Sequence, residues 1–254
     1  MLEKLPDTIG HALREQRAGL DQILFNRLPL RAGQGALQLT SLAFIDHGPL
    51  PALYTADGDG RSPPLHWTGV PPQAVSLVLV VEDADSPTPH PLVHAIAVDL
   101  PVVLDHLPEG GLQPDAEIPA PGPSTTGAGA LVNTAGRAGS AAEPGAVTAD
   151  TDTGPSATAR HAAPAATIHL GRNSYLRAGW LPPDPPPGHG RHRYAFQLFA
   201  LAATTGLSGS PGRDAVADAL ARHAIASGLL IGTYERPDGS VRAGGPASAG
   251  ATPA

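Results

Sequence analysis

The sequence predicts a mainly β domain with helices near its two ends. Short apolar runs rich in Val, Leu and aromatics recur at 75–81, 94–100 and 194–202, the pattern of buried strands. Gly- and Pro-rich turns, not helices, separate them, so no strand–helix–strand alternation exists to build a doubly wound sheet. The two helical patterns, near residues 7–20 and 213–227, lie at opposite ends of the chain.

Taken in order, residues 1–30 form an N-terminal amphipathic segment. Leu5, Ile9, Leu13, Leu20, Ile23 and Leu24 recur at helical spacing, and Asp7 or Thr8 can cap a helix running from about 7 to 20. Its apolar stripe is expected to pack on the domain or on a second subunit. ALQLTSLAF (36–44) alternates in part, as a half-buried strand does. The stretch that follows is loop, with turns at Asp57-Gly58, Asp59-Gly60 and Pro63-Pro64. A strand at 75–81 and another at 94–100, ended by Pro101, enclose the turn EDADSPTPHP. Residues 108–166 are mostly Ala, Gly, Pro, Ser and Thr, which bury too little to offset ordering entropy, so a disordered insertion is expected there. YAFQLFALA (194–202) is a strand, and Arg213–Ser227 a helix with Gly228 as its C′ residue. Leu229–Tyr234 is the last strand, and the tail at 237–254 is expected to fray. The domain thus spans 31–236.

Composition narrows the function classes. The chain has 254 residues with a formal charge of −7 and no strong basic run, which disfavours nucleic-acid and polybasic membrane binding. No cysteine is present, which removes disulfides, thiolate metal sites and Cys nucleophiles. The N-terminal residues lack the apolar core of a secretion signal, and no run approaches the roughly 20 apolar residues that span a bilayer. A cytoplasmic protein without stable membrane insertion is the expectation.

Polar residues that read as purposeful fall in three segments: EDADSP with His90 and His94, GHGRHRY at 188–194, and DGDGRSPPLHW at 57–67. Carboxylates beside imidazoles favour the imidazolium, and two such cations with backbone amides can hold an anion. Gly190 permits close backbone approach to a bound group. Rival readings stand beside this one. His90/His94 and His189/His192 have spacings seen in metal ligands, although neither pair lies on an evident helix. Hydrolase and P-loop motifs are missing: no G-x-S-x-G and no G-x-x-x-x-G-K-[ST] occurs. Asp83 and Asp85 can also be no more than turn caps, and His94 a satisfied core residue.

The ordered blocks LTSLAF, YTADGDGRSPPLHWTGVP, EDADSP, HAIAVDLP, GRNSY, PPDPPPGHGRHRYAFQLFAL and LIGTYER resemble the phosphatidylethanolamine-binding proteins, in particular their bacterial Raf-kinase-inhibitor-like branch. They cover about residues 36–106 and 168–236. The resemblance implies a β-sandwich or large antiparallel sheet with peripheral helices and a small anion pocket for phosphate, phosphorylated ligands or phospholipid headgroups. It further implies a binding protein without enzymatic activity or cofactor, possible regulation of kinase or protease partners, and a homodimer for which the N-terminal helix offers a surface. The family's D-P-D-x-P block falls on Asp83–Pro87 and its G-x-H-R-Y block on Gly190–Tyr194. Asp83, Pro87, His94, Pro182, Pro183, Gly190, His192 and Tyr194 are thereby the implied ligand-binding residues, and Glu82 and His90 bystanders. Three departures carry expectations. Ala84 in place of proline predicts a looser turn, Val93 and Ala95 in place of aromatics an open mouth, and Arg191 added positive charge there. A His-dependent esterase or phosphatase is the alternative activity.

Overall fold

A computed structural model describes residues 6–28, 37–114, 116–118 and 166–237. Its helices are α1 (Asp7–Leu13), α2 (Leu24–Arg27) and α3 (Arg213–His223). The strands are β1 (Gln38–Thr40), β2 (Gly48–Pro49), β3 (Leu65–Thr68), β4 (Ser76–Asp83), β5 (Leu92–Pro101), β6 (His106–Leu107), β7 (Glu117–Ile118), β8 (Ala166–Thr167), β9 (His169–Leu170), β10 (His192–Leu201) and β11 (Ala224–Tyr234). A six-stranded sheet in the order β2-β11-β10-β4-β5-β9 dominates, antiparallel except for the β11–β2 pair. A three-stranded sheet, β1-β3-β6, covers one of its faces.

Both faces of the large sheet are buried, which is why β4 reads as an unbroken apolar run. Leu77, Leu79 and Val81 point into the core shared with Leu39, Leu65 and Trp67 of the small sheet. Val78 and Val80 point the other way, against Val216 and Leu220 of α3 and Leu24 of the N-terminal segment. The expected fold class is therefore the observed one.

Two helix boundaries differ from expectation. The N-terminal helix stops at Leu13, and the chain turns at residues 14–15 and runs on to a single 3₁₀ turn at Leu20–Gln22, so that residues 13–19 form a strap. Gly19 sits there at φ 98°, a conformation that a helix cannot include. The strap lies on its own domain: Ala18 N–H donates to the Ser86 carbonyl at 3.1 Å and Gly19 N–H to that of Ala84 at 2.7 Å. At the other end, α3 gives way to β11 at Ala224, so Gly228 is a strand residue paired with Leu198, not a helix terminator. A Cβ at Gly228 would lie 2.5 Å from the Leu37 carbonyl oxygen, so packing against β1's approach, not capping, selects glycine.

The ordered domain also reaches further than residue 107. Leu112 is buried in the main core, its N–H donates to Ser62 Oγ at 3.1 Å, and its carbonyl accepts the Trp180 N–H at 2.9 Å. Residues 108–114 thus pack with the domain, while the stretch from 119 to 165 lies outside the described residues, as does the tail past 237.

Helix α1 docks through Gly10, where a Cβ would fall 1.8 Å from the Pro187 carbonyl oxygen. Gly10→Ala is expected to lift α1 from the 187–189 loop at a cost of about 1–3 kcal/mol. Urea unfolding, with limited proteolysis inside residues 6–19, checks this.

Candidate functional site

The site forms where β4 ends and β5 and β10 begin. Antiparallel pairing sets Tyr194 beside Asp83 and Asp83 beside Leu92, so the ends of three strands converge. A bulge then aims His94. Val81 pairs with Ala95 but Glu82 pairs with Val93, leaving His94 as the extra residue of β5. An added residue reverses the alternation beyond it. Ala95 accordingly faces the main core while Val93 faces the second one, and the imidazole turns toward the ends of the strands. His94 Nδ1 contacts the Leu181 carbonyl oxygen at 2.6 Å, and the Leu181 N–H donates to the His94 carbonyl at 2.8 Å. This reciprocal pair fastens the loop Leu181–Pro187 over the strands.

Between that loop and the DADSP turn lies a cavity of about 200 Å³. Asp83, Pro87, His94, Pro182 and His192 line it, so five of the eight implied residues are brought together. Ala56, Ser86, Leu92, Tyr175, Leu181, Asp184, Pro185 and Pro186 complete the wall.

The remaining three hold other positions. Tyr194 is fully buried beneath the imidazoles, edge-on to His94 at 5.1 Å and stacked on His192 at 6.3 Å. Burial first, then Asp83 and Asp184, pushes its phenol well above the ordinary range, so it stays protonated. Its role is a floor under the two imidazoles, not an exposed donor. Pro183 is outside the wall, with its carbonyl accepting the Ala56 N–H at 2.8 Å. Gly190 faces the strap: a Cβ there would meet Arg17 Nη2 at 3.4 Å and Arg14 Nε at 3.5 Å.

Electrostatics correct the picture of two cationic imidazoles. The Leu181 carbonyl can only accept, so His94 carries its proton on Nδ1, and Nε2 is a lone-pair acceptor. That nitrogen is buried with no hydrogen-bond partner among the described residues. Burial holds His94 below the ordinary histidine range, outweighing the nearby Asp83 carboxylate, so the resting imidazole is neutral. His192 is enclosed differently: Nδ1 meets Asp83 Oδ2 at 2.7 Å and Nε2 meets His189 Nδ1 at 2.7 Å. The Asp85 N–H donates to Asp83 Oδ1 at 2.8 Å, so both carboxylate oxygens are engaged.

A second layer balances the carboxylates. Asp85 accepts the Arg193 backbone N–H at 2.8 Å and two guanidinium bonds at 2.7 and 2.6 Å, and Arg17 lies 3.1 Å away. Burial alone would raise the Asp85 carboxyl, but Arg193 and Arg17 hold it below the usual range. Behind the loop, Arg236 is fully buried against Asp184 at 2.6 Å and Asp57 at 2.9 Å. Glu82, also fully buried, joins Arg213 at 2.6 Å, the Leu24 N–H and Gln197. It is outside the cavity wall, as is His90, which lines a neighbouring groove with Arg172 and Gly212.

The three departures resolve differently from expectation. Ala84 is tightly held: its N–H, which proline lacks, donates to the Arg193 carbonyl at 2.9 Å. Val93 and Ala95 are core residues, so they do not shape the mouth. Arg191 is exposed and absent from the cavity wall; its carbonyl accepts from Arg17 at 2.8 Å.

Asp184 and Arg236 are neighbours of the site that the sequence did not single out, and His189 entered only through its spacing from His192. Asp184 shows only as an acid within a proline run and His189 as a second imidazole three residues before His192, while Arg236 carries no local signal.

Linkage gives a sign for acid stability. His94 and His189 are both held below their ordinary value of 6.5, chiefly by burial. An unfolded chain protonates them first, so their stabilisation is complete above about 6.5 and declines as pH falls below it. Urea unfolding is therefore expected to show lower stability at about pH 5.5 than at about pH 7.5, with a shallower decline in His94→Leu.

Comparison with known proteins agrees with this architecture. A family model described as phosphatidylethanolamine-binding protein matches residues 40–235. The UPF0098 protein of Methanothermobacter thermautotrophicus is 30% identical over 203 residues, which cover 79% of this chain and 99% of that one. The UPF0098 protein of Chlamydia trachomatis is likewise 30% identical, over 204 residues, with the same coverage. Among solved structures, the phosphatidylethanolamine-binding protein homologue CT736 of Chlamydia trachomatis superposes with a TM-score of 0.56 at 29% identity, covering 79% of this chain and 98% of that one. E. coli YbcL shares the fold, with a TM-score of 0.57 at 22% identity over 79% of this chain and 98% of its own. The chain belongs to the phosphatidylethanolamine-binding protein family.

Proposed function

We propose that the cavity binds a small oxyanion that shares one proton with His94, such as phosphate or a phosphate monoester, without turning it over. The observation that carries this is the His94 Nε2 lone pair, buried and unpartnered among the described residues, on the wall of a 200 Å³ cavity. An unpaired acceptor in that setting costs about 1–3 kcal/mol, which a ligand O–H recovers. The cavity is smaller than the roughly 300–1,000 Å³ of sites for drug-sized ligands, which favours a compact group. Each carboxylate in the wall has a nitrogen partner behind it, Asp83 the His192 imidazole and Asp184 the Arg236 guanidinium, so the wall does not repel an anion outright. A proton on either the ligand or His94 Nε2 closes the remaining hydrogen bond.

A binding role is favoured over hydrolysis by the state of Ser86, the aliphatic hydroxyl in the wall. Its Oγ donates to the Asp83 carbonyl at 3.2 Å, pairs with Thr88 Oγ1 at 2.7 Å and accepts the Leu92 N–H at 3.2 Å. A hydroxyl so occupied is poorly placed to attack. Titration with inorganic phosphate, followed by NMR, is expected to perturb residues around Asp83, Leu92 and Leu181 in the parent protein and not in His94→Leu. Equal perturbation in both would place the ligand elsewhere. Sustained turnover of generic phosphate or carboxyl esters, lost in His94→Leu, would instead support the esterase or phosphatase alternative.

A further inference from the structure

The His192 ring continues away from the cavity into a chain of contacts that the binding proposal does not use. Asp83 Oδ2 meets His192 Nδ1 at 2.7 Å, and His192 Nε2 meets His189 Nδ1 at 2.7 Å. His189 Nε2 then meets the carbonyl oxygens of Leu13 at 2.9 Å and Gln16 at 3.2 Å, both in the N-terminal strap. His189 and His192 are 0% and 1% exposed, so water does not substitute for these partners.

Counting protons along the chain gives a definite result. Carbonyl oxygens only accept, so His189 must carry its proton on Nε2, and a neutral His189 is then an acceptor at Nδ1. His192 must donate to it from Nε2 and must also supply or accept the proton on the Asp83 side. Three contacts need three protons, and two neutral imidazoles hold two. With Asp83 ionised, one imidazole is a cation. Asp83 Oδ1 already accepts the Asp85 N–H, which favours the carboxylate. The Asp83 carboxylate touches His192 at 2.7 Å whereas the Arg17 guanidinium lies against His189, 3.0 Å from its carbonyl, so the extra proton belongs on His192; burial, which holds His189 below the ordinary range, acts in the same direction.

We propose that the N-terminal strap is part of the ligand site: its Leu13 and Gln16 carbonyls fix His189 as donor at Nε2 and acceptor at Nδ1, and thereby hold a second proton on His192 against Asp83. His189 is a positioning residue in this arrangement. Arg17 clamps the strap in place, donating from Nη2 to the His189 carbonyl at 3.0 Å and from Nη1 to that of Arg191 at 2.8 Å while pairing with Asp85. Other charged or titratable groups face the relay from every side: His94 on β5, Asp184 on the overlying loop, the Asp85–Arg193 pair, Tyr194 below, and His11 of α1 packed near Gly188. Losing the strap's two carbonyls frees His189 to carry its proton on Nδ1 instead. It then donates to His192 Nε2, whose own proton leaves for solvent, and the cavity wall loses one positive charge. Whatever displaces the strap therefore alters the charge of the site.

The relay does not depend on what the cavity binds, whereas its effect on affinity rests on the oxyanion reading above. The test is a two-bond ¹H–¹⁵N correlation spectrum of the full chain, labelled at histidine, at neutral pH and without ligand. Both His192 nitrogens are expected to be protonated, and His189 protonated on Nε2 alone. A bare nitrogen on His192 would overturn the proposal. In His189→Leu, with folding verified by the backbone amide spectrum, His192 Nε2 is expected to become unprotonated at the same pH. Arg17→Ala, which leaves the core untouched, is expected to give a partial loss in the same direction and keeps the test alive if His189→Leu does not fold. An unchanged His192 in the folded variants would overturn the coupling to the strap. Affinity for inorganic phosphate is expected to fall about 10-fold in His189→Leu, the size of one charge-assisted hydrogen bond. If the parent protein shows the expected histidine states but binds no phosphate, the relay stands and the oxyanion reading fails.

Discussion

Arg236→Ala is expected to destabilise the fold by about 3–5 kcal/mol, because it removes one partner of a fully buried ionic cluster. The guanidinium contacts Asp184 at 2.6 Å, Asp57 at 2.9 Å and the Pro185 carbonyl at 3.0 Å, and Tyr234 Oη also bonds Asp57. Without it, two carboxylates remain close together, one of them in the cavity wall. Chemical denaturation should show the loss as a lower midpoint with an unchanged slope. The overlying loop carries Leu181 and Pro182 as well as Asp184, so affinity for inorganic phosphate is expected to fall in the folded fraction too. A change below about 1 kcal/mol, the range of exposed ion pairs, would show that the cluster is solvated and the loop held by other contacts.

Asp83→Ala is the second large effect, and it acts on stability and ligand together. The substitution strips the acceptor from His192 Nδ1 and from the Asp85 N–H, both in buried surroundings. Breaking a buried charged pair costs about 3–5 kcal/mol, or roughly 2–4 °C of melting temperature per kcal/mol for a chain of this size. Phosphate binding should drop below detection, since His192 then has no anchor and the cavity wall loses its ordered arrangement. Asp83→Asn separates the two effects. An amide preserves size and can still accept from the Asp85 N–H, so it should recover much of the stability without restoring the charge on which the histidine relay depends. Full phosphate affinity in Asp83→Asn would show that charge at this position is dispensable.

Much of the fold was legible because its strands are chemically plain. The runs at 75–81 and 194–202 are apolar on both faces, and the large sheet is covered on both faces. Strand periodicity also exposed the DADSP turn, since a sharp polar break between two apolar runs marks the end of a sheet. What stayed hidden was set by long-range geometry. Nothing local announces that β5 carries a bulge at His94, yet that bulge turns the imidazole toward the cavity. Gly228 looked like a helix terminator because a glycine after a helical pattern usually is one; β1's approach, more than 180 residues earlier in the chain, is what selects it. The strap has helical apolar spacing, but hydrogen bonds to Ser86 and Ala84 outweigh that preference. Tyr194 followed the same logic: the motif located it, and only packing shows that its hydroxyl faces the interior. His189 carried only its spacing from His192, since its placement depends on two backbone carbonyls whose position no side chain encodes.

Calorimetric titration with inorganic phosphate in two buffers of different ionisation heat, repeated from about pH 6 to pH 8 across the histidine range, tests the central claim most directly. The account predicts saturable binding that weakens as pH rises, a buffer-dependent heat that reports the shared proton, and loss of both in His94→Leu. Binding of equal strength across that range, or an unaltered isotherm in His94→Leu, would contradict it.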